Sequence, residues 1–135
     1  MKTRICAVAV VEKDGKILMG NKAVDVGPYP NTWRIPGGGV ETEESLVDAV
    51  KREVKEEVNL DVESVEKIGV YEDNEPDKNG EMTHYVFHLF KAKTFAGNAF
   101  ASKEFPSIKW VDKKQLANTP MARPSIKLFK ELGYL

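Results

Sequence analysis

The sequence has one cysteine, almost no net charge and no long hydrophobic run. Because Cys6 is the only cysteine among 135 residues, no intramolecular disulfide can form, and a reducing compartment such as the cytoplasm suits the chain. A formal net charge of −1 gives no electrostatic reason to expect duplex nucleic acid or an anionic membrane as partner. No segment approaches the roughly 20 apolar residues of a membrane span. These absences predict a cytoplasmic protein that binds neither duplex nucleic acid nor membrane.

The composition is that of an ordinary globular protein, with 41% apolar and 30% charged residues. Its length fits one domain over residues 1–135. Two apolar runs around the turn dipeptide Asp14-Gly15 predict a β-hairpin, and the glycine- and proline-containing stretch Lys22 to Thr32 predicts a loop. The short piece WRIP then predicts a further strand before the three glycines at 37–39.

A helix is predicted after these glycines, with Thr42 as N-cap and Asn59 as the residue that ends it. Further along the chain we predict strands in 61–71, 81–93 and 105–111, a loop over 73–80, and a closing helix from Pro124 to Leu132. Strands outnumber helices and the two alternate in mixed order. The expected fold class is therefore α+β, a mixed sheet with helices packed on it.

The predicted helix carries three carboxylates at positions that bring them together. Glu53, Glu56 and Glu57 stand at i, i+3 and i+4, a spacing at which like charges repel on a helix surface. On a helical wheel Glu53 and Glu57 lie close to the buried direction set by the valines, and Glu56 lies beside both. Most charge runs are solvated faces, and KREVKEE also contains cations. Carboxylates at the edge of a core, however, are typical ligands of Mg²⁺ or Mn²⁺, which we expect here.

The surrounding residues complete a motif. In GGVETEESLVDAVKREVKEEVNL, the spacing from Gly38 to Glu44, to Arg52 and to the paired glutamates resembles the box of the Nudix hydrolase family. The match holds at every fixed position but one, where Asn59 replaces a glycine, and Asn tolerates the same left-handed conformation. WRIPGG, the strand order and KWVDKKQL are similar to the family as well. The resemblance implies the Nudix fold, a mixed β-sheet sandwiched between α-helices.

The resemblance also implies the chemistry, hydrolysis of a nucleoside diphosphate linked to another group with divalent metal. It assigns metal binding to Glu53, Glu56, Glu57 and the carbonyl of Gly37, and the role of base to Glu53 in some relatives and to a later loop in others. Arg52 is expected to orient a carboxylate through a bidentate pair, which counts it with the glutamates as part of the catalytic set. Glu44 is expected to brace the loop or to reach the metal indirectly.

The sequence contains fewer indications of how the substrate is recognised. Arg34 could meet a phosphate, and Trp33 and Tyr85 are candidate platforms for a nucleobase, although such residues more often serve the core or a surface ion pair. The compact length is similar to MutT-like members, which cleave (d)NTP to (d)NMP and pyrophosphate. Pro76 keeps ADP-ribose or nucleotide-sugar pyrophosphatase open as an alternative.

Two other classes of function share this fold. A regulator that binds nucleotide without turnover would have lost a carboxylate of the cluster, and none is lost here. A prenyl diphosphate isomerase would need an active-site cysteine, and Cys6 in an apolar strand is a poor candidate. Because many relatives dimerise, the resemblance also implies a homodimer.

Overall fold

The computed structural model describes residues 1–22, 29 and 31–135. The loop predicted from Lys22 to Thr32 falls mostly on residues 23–28 and 30, outside the described part of the chain. The described residues form two α-helices, eight strands and a 3-10 helix, in this order: β1 Lys2–Val10, β2 Glu12–Lys13, β3 Lys16–Asn21, β4 Trp33–Arg34, β5 Gly37–Gly39, α1 Leu46–Val58, β6 Asp61–Pro76, β7 Met82–Ala96, β8 Ser107–Asp112, the 3-10 helix Lys113–Asn118, and α2 Arg123–Glu131. The predicted α+β class with mixed sheets is confirmed.

One four-stranded sheet has the strand order β5-β1-β7-β6, and we call it the larger sheet because it contains the long strands β6 and β7. The apolar strand β1 lies inside it, between β5 and β7. β1 and β7 run parallel, from Lys2 opposite Thr83 to Val10 opposite Lys91. β5 and β6 are antiparallel to their neighbours, β6 and β7 forming a long hairpin. One row across three strands consists of Lys2, Thr83 and Glu75, which therefore share a face at one end of the sheet.

The smaller sheet contains the predicted hairpin, formed by β2 and β3. β2 and β3 pair on either side of Asp14 and Gly15, whose φ angles of 53° and 76° are those of a tight hairpin turn. β4 and β8 pair with β3 on its two sides. The strand predicted in WRIP and the one predicted in 105–111 are confirmed as β4 and β8.

Each face of the larger sheet buries its own hydrophobic core. On one face, alternate residues of β1 pack against α1, in a core of Ala7, Ala9, Val11, Leu18, Ala49, Val50, Val54, Val58, Leu60, Phe90, Ala92 and Phe105. The other residues of β1 pack towards α2, in a core of Val8, Val10, Ile17, Met19, Ile35, Leu89, Val111, Leu116, Met121, Leu128 and Phe129. The alternation of β1 places it between two helices, as the resemblance implied.

Helix α1 begins later than predicted. Ser45, not Thr42, is the N-cap, and its Oγ accepts a hydrogen bond of 3.0 Å from the amide of Asp48. The expectation was wrong because Glu43 has a φ of 66°, which interrupts the chain before a helix can start. The predicted end is confirmed, since Asn59 adopts the left-handed conformation with a φ of 62°.

Four further segments differ from the prediction or extend it. The three glycines that precede the predicted helix form β5, and the loop predicted over 73–80 is shorter because β6 continues to Pro76. Helix α2 is shifted by one residue from its predicted bounds, and the 3-10 helix was not predicted. Among the described residues no helix combines the length and apolarity needed to cross a membrane.

Candidate active site

Helix α1 presents its three glutamates to different environments. Glu57 is buried with 1% of its surface exposed, while the side chain of Glu53 is 12% and that of Glu56 56% exposed. Val50 and Val54 fill the buried stripe of the helix, and they turn Glu57 and Glu53 towards the neighbouring strands. The predicted orientation of Glu53 and Glu57 at the core edge is confirmed.

The glycine strand β5 lies directly against these carboxylates. The amide of Gly37 donates a hydrogen bond of 2.6 Å to Glu57 Oε1. A Cβ on Gly38 would lie 2.8 Å from the carboxyl carbon of Glu53, and one on Gly37 would lie 2.5 Å from the Cα of Val8. Because no side chain fits at either position, only glycine allows β5 to lie between β1 and the glutamates.

A third carboxylate reaches the site from a distant part of the chain. Glu104, in the segment between β7 and β8, places an oxygen so that those of Glu53, Glu57 and Glu104 all lie within 4.8 Å of one another. We call these three residues the carboxylate cluster. Sequence reasoning missed Glu104 as an individual residue, because an isolated loop glutamate carries no spacing signal. The only pointer was the family's use of a later loop in some relatives.

The surroundings of the carboxylate cluster oppose the ionisation of its two less exposed members, Glu53 and Glu57. Burial raises the pKa of Glu57 to about 9, the charges of Glu53 and Glu104 raise it too, and the Gly37 amide opposes the shift. Burial also raises the pKa of Glu53, against the effect of Arg52. Three oxygen ligands at this spacing are a donor set for a hard divalent cation, which would relieve the repulsion. The residues present therefore fit Mg²⁺ or Mn²⁺.

Arg52 connects the helix to the loop that precedes it. Its guanidinium makes a bidentate pair with Glu44, through Nε at 2.8 Å and Nη2 at 2.9 Å. It also donates to Glu53 at 3.0 Å, to Glu56 at 3.3 Å and to the carbonyl oxygen of Gly39 at 3.1 Å. The hydrogen bond from Arg52 lowers the pKa of Glu44 to about 2. The structure thus shows the expected bidentate pairing, and it brings Glu56 to Arg52 rather than into the carboxylate cluster.

A cavity of about 340 Å³ opens beside β5. Its floor is the α2-facing side of the larger sheet, with residues of β1 and the rings of Tyr85 and Phe87. Gly37 is paired with Val8 at one end of the floor, and Lys2 and Glu75 share a row at the other. Val8 and Lys2, which mark these ends, are six steps apart along β1, roughly 20 Å at about 3.3 Å per residue. The cavity is long enough for an extended ligand that begins near the carboxylate cluster.

Two of the three predicted substrate residues line this cavity. Tyr85 lies on its floor, stacked on Phe87 with ring centroids 5.5 Å apart. Arg34 also lines it, and its Nε is buried with no hydrogen-bond partner in residues 1–22, 29 and 31–135. Burial lowers the pKa of the Arg34 guanidinium, and the charge of Glu57 opposes this shift. Trp33 does not line the cavity; it packs against the second core under the ammonium of Lys109, 4.1 Å from the ring centroid.

Comparison with known families gives a match over nearly the whole chain. The family model described as NUDIX domain matches residues 1–132. These residues include the carboxylate cluster, the glycine strand β5 and the residues that line the cavity.

Individual relatives agree with this match at low sequence identity. The nucleoside triphosphatase NudI of Enterobacter sp. (strain 638) is 24% identical over 141 residues, covering 100% of both chains. The crystal structure of MutT NUDIX hydrolase from Burkholderia pseudomallei has a TM-score of 0.83 at 24% identity, covering 96% of this chain and 98% of that one. The NUDIX domain of Shewanella oneidensis NrtR, complexed with ADP ribose, has a TM-score of 0.75 at 20% identity, covering 98% and 86%. The two structures establish the shared fold.

Proposed function

Because the chain belongs to the NUDIX domain family and is a hydrolase of phosphoric anhydride bonds, we propose that it cleaves nucleoside triphosphates to the monophosphate and pyrophosphate. The observation that carries this proposal is the carboxylate cluster, with its oxygens within 4.8 Å, beside a cavity whose wall includes the same glycine strand. The relative from Enterobacter, named a nucleoside triphosphatase, supports the choice of substrate.

The carboxylate cluster would hold Mg²⁺ or Mn²⁺ through Glu53, Glu57 and Glu104. The bound ion would neutralise charge on the polyphosphate and make a bound water more acidic. Glu56 and the carbonyl of Gly37 remain predicted further ligands, and Glu53 remains the base that the resemblance implies. The base would take a proton from the water that attacks phosphorus.

Cationic side chains of this protein would bind and orient the rest of the reaction centre. Arg34 lines the cavity with an Nε–H that has no hydrogen-bond partner among the described residues, and we assign it to a non-bridging phosphate oxygen of the substrate. Arg52 faces the carboxylates rather than the cavity, so its proposed role is to hold Glu53 in position through their 3.0 Å hydrogen bond. Tyr85 is the proposed platform for the nucleobase.

A second substrate class has one observation in its favour. Pro76, the position that suggested ADP-ribose or nucleotide-sugar pyrophosphatases, lines the cavity at the end of β6. The structural relative complexed with ADP ribose has the same fold. Both substrate classes contain a nucleotide and a phosphoric anhydride, so they would use the carboxylate cluster alike. We also propose that residues 1–135 act as one domain, and the predicted homodimer remains a prediction.

The test is a release assay for phosphate and pyrophosphate. The panel consists of NTPs, dNTPs, ADP-ribose, nucleotide sugars and dinucleoside polyphosphates, each with Mg²⁺, with Mn²⁺ and with EDTA. We expect metal-dependent release of pyrophosphate from triphosphates and no release with EDTA. Turnover restricted to ADP-ribose or nucleotide sugars would establish the second class instead. Nucleotide binding without any turnover would contradict the proposed hydrolysis of these substrates.

A further inference from the structure

The end of the cavity opposite the carboxylate cluster is formed in part by a buried carboxylate, Glu75. We propose that Glu75 recognises the amino group of a nucleobase, so that the substrate carries cytosine, adenine or guanine rather than uracil or thymine. This inference rests on the proposed function in placing a nucleotide in the cavity. It does not depend on which phosphoric anhydride is cut.

The position of Glu75 separates it from the phosphate-binding end. Glu75 stands in the sheet row of Lys2 and Thr83, whereas Gly37 pairs with Val8 further along β1. A buried carboxylate near the phosphates would repel a polyanionic substrate. At the far end, roughly 20 Å away by the strand rise of about 3.3 Å per residue, it can instead contact the uncharged nucleobase.

Glu75 has hydrogen-bonding capacity left over. It is only 1% exposed, and its Oε1 accepts a hydrogen bond of 2.5 Å from the hydroxyl of Tyr29. Within the described part of the chain its Oε2 is buried without a hydrogen-bond partner, although it forms an ion pair with Arg123 Nη1, 3.0 Å away, which balances the charge. A buried acceptor without a donor is costly in a folded protein, and this one is on a residue that lines the cavity.

The neighbouring carboxylate, Asp77, has no such capacity. Its Oδ2 accepts from Lys2 Nζ at 2.6 Å, and its Oδ1 accepts from the amides of Asn79 and Glu81 at 2.8 and 2.9 Å. These contacts lower the pKa of Asp77 to about 2, the hydrogen bond from Lys2 contributing most. Asp77 therefore holds the turn between β6 and β7, and Glu75 is the carboxylate available to a ligand.

The chemistry of the bases decides what a lone carboxylate oxygen can recognise. The exocyclic amino group of cytosine, adenine or guanine donates hydrogen bonds through its N–H groups and presents no acceptor to the carboxylate. A uracil or thymine ring bound in the position of cytosine would present its O4 carbonyl where cytosine presents the amino group, and that oxygen would be repelled by Glu75 Oε2. The N3–H of these bases could donate to Oε2 only from a shifted ring position. Tyr85, in the next row of the sheet, lies beside Glu75 on the cavity floor and would support the ring of the base.

The test compares substrate pairs that differ only in an amino or oxo group. We would measure kcat/KM for CTP against UTP and for ADP-ribose against its hypoxanthine analogue, and the affinity for CMP against UMP with EDTA by calorimetry. We expect the wild-type protein to prefer the amino partner by about 10- to 100-fold, the effect of a hydrogen bond to a charged group. In Glu75→Gln the ratio should fall about tenfold or more, because a rotated amide can face a carbonyl as well as an amino group.

Asp73→Asn is the matched control. Asp73 contacts Arg123 and Lys127 of α2, as Glu75 contacts Arg123, but it does not line the cavity. A purely structural role of Glu75 would make both variants change KM and stability alike, with the base ratio unchanged, and would overturn the inference. Wild-type protein that binds UMP as well as CMP would overturn it without any variant. If triphosphates are hydrolysed without a base preference, the proposed function stands and this inference fails. If CMP is preferred over UMP but nothing is hydrolysed, this inference stands and the proposed function fails.

Discussion

Replacing Glu57 by Gln should separate stability from activity. The amide oxygen of Gln can still accept the hydrogen bond from Gly37, so the contact between β5 and α1 is retained. What disappears is a buried ionisable group whose pKa burial raises to about 9 from an ordinary 4.5. The variant therefore tests whether this carboxyl is present for metal binding at the expense of stability.

The magnitude follows from the pKa of Glu57. Between pH 4.5 and 9 the folded carboxyl keeps its proton while the unfolded one is ionised, so the free energy of unfolding falls as pH rises. At pH 7.5 the loss amounts to about 4 kcal/mol, at 1.36 kcal/mol per pH unit above the ordinary pKa. In EDTA at this pH, Glu57→Gln should be more stable than wild type by up to about that amount. Near pH 4.5 the two proteins should differ little.

The assay combines urea unfolding with turnover. Mg²⁺ should stabilise wild type by favouring the ionised carboxyl, and should stabilise Glu57→Gln much less. Turnover should fall by about three orders of magnitude, the equivalent of about 4 kcal/mol of transition-state stabilisation. Glu131→Gln, at the exposed end of α2, should change neither quantity. If Glu57→Gln were less stable than wild type in EDTA and kept wild-type turnover with Mg²⁺, the assignment of the site would be wrong.

Three further changes test other parts of the site. Glu104→Gln should lower Mg²⁺-dependent turnover by about tenfold or more because the ion loses one charged ligand, and unchanged turnover over a Mg²⁺ titration would exclude Glu104. Gly38→Ala should reduce turnover because its Cβ would meet the carboxyl of Glu53 at 2.8 Å, whereas Gly69→Ala, whose Cβ would have no atom of the described residues within 4 Å, should behave as wild type in the same assay. The pKa of Glu44 is lowered to about 2, so its stabilising effect is complete above its ordinary pKa of 4.5 and is lost as pH falls towards 2; Glu44→Gln should flatten this acid limb in urea titrations, and an identical pH profile would contradict the pairing.

The part of the site within helix α1 could be predicted from sequence because its geometry is local. Helical periodicity alone places Glu53 and Glu57 beside the buried valines, and the left-handed Asn59 follows from its side-chain type. The start of the helix was missed because Thr42 and Ser45 are both good caps. The positive φ of Glu43 favours Ser45, and no residue type in the segment indicates that conformation.

The rest of the site depends on contacts between distant segments. Glu104 belongs to the carboxylate cluster because the segment between β7 and β8 brings it next to Glu53 and Glu57 of α1. No local sequence pattern indicates this placement. The cavity likewise arises from the register of β1 with β7 and of β7 with β6, which places Glu75 opposite Thr83. Trp33 was a reasonable base platform by residue type, but the pairing of β4 turns it towards the second core instead.

The parallel pairing of β1 with β7 bears on when the site can form during synthesis. β1 is made first, yet its register begins with Lys2 opposite Thr83, so it must wait for most of the chain before its long neighbour exists. Until then the glycine strand has no stable sheet to join, since β5 pairs with β1. Contacts of such large sequence separation slow folding. The nascent chain would therefore carry α1 and its glutamates well before it could bind metal, and catalytic competence would come only with the closure of the larger sheet.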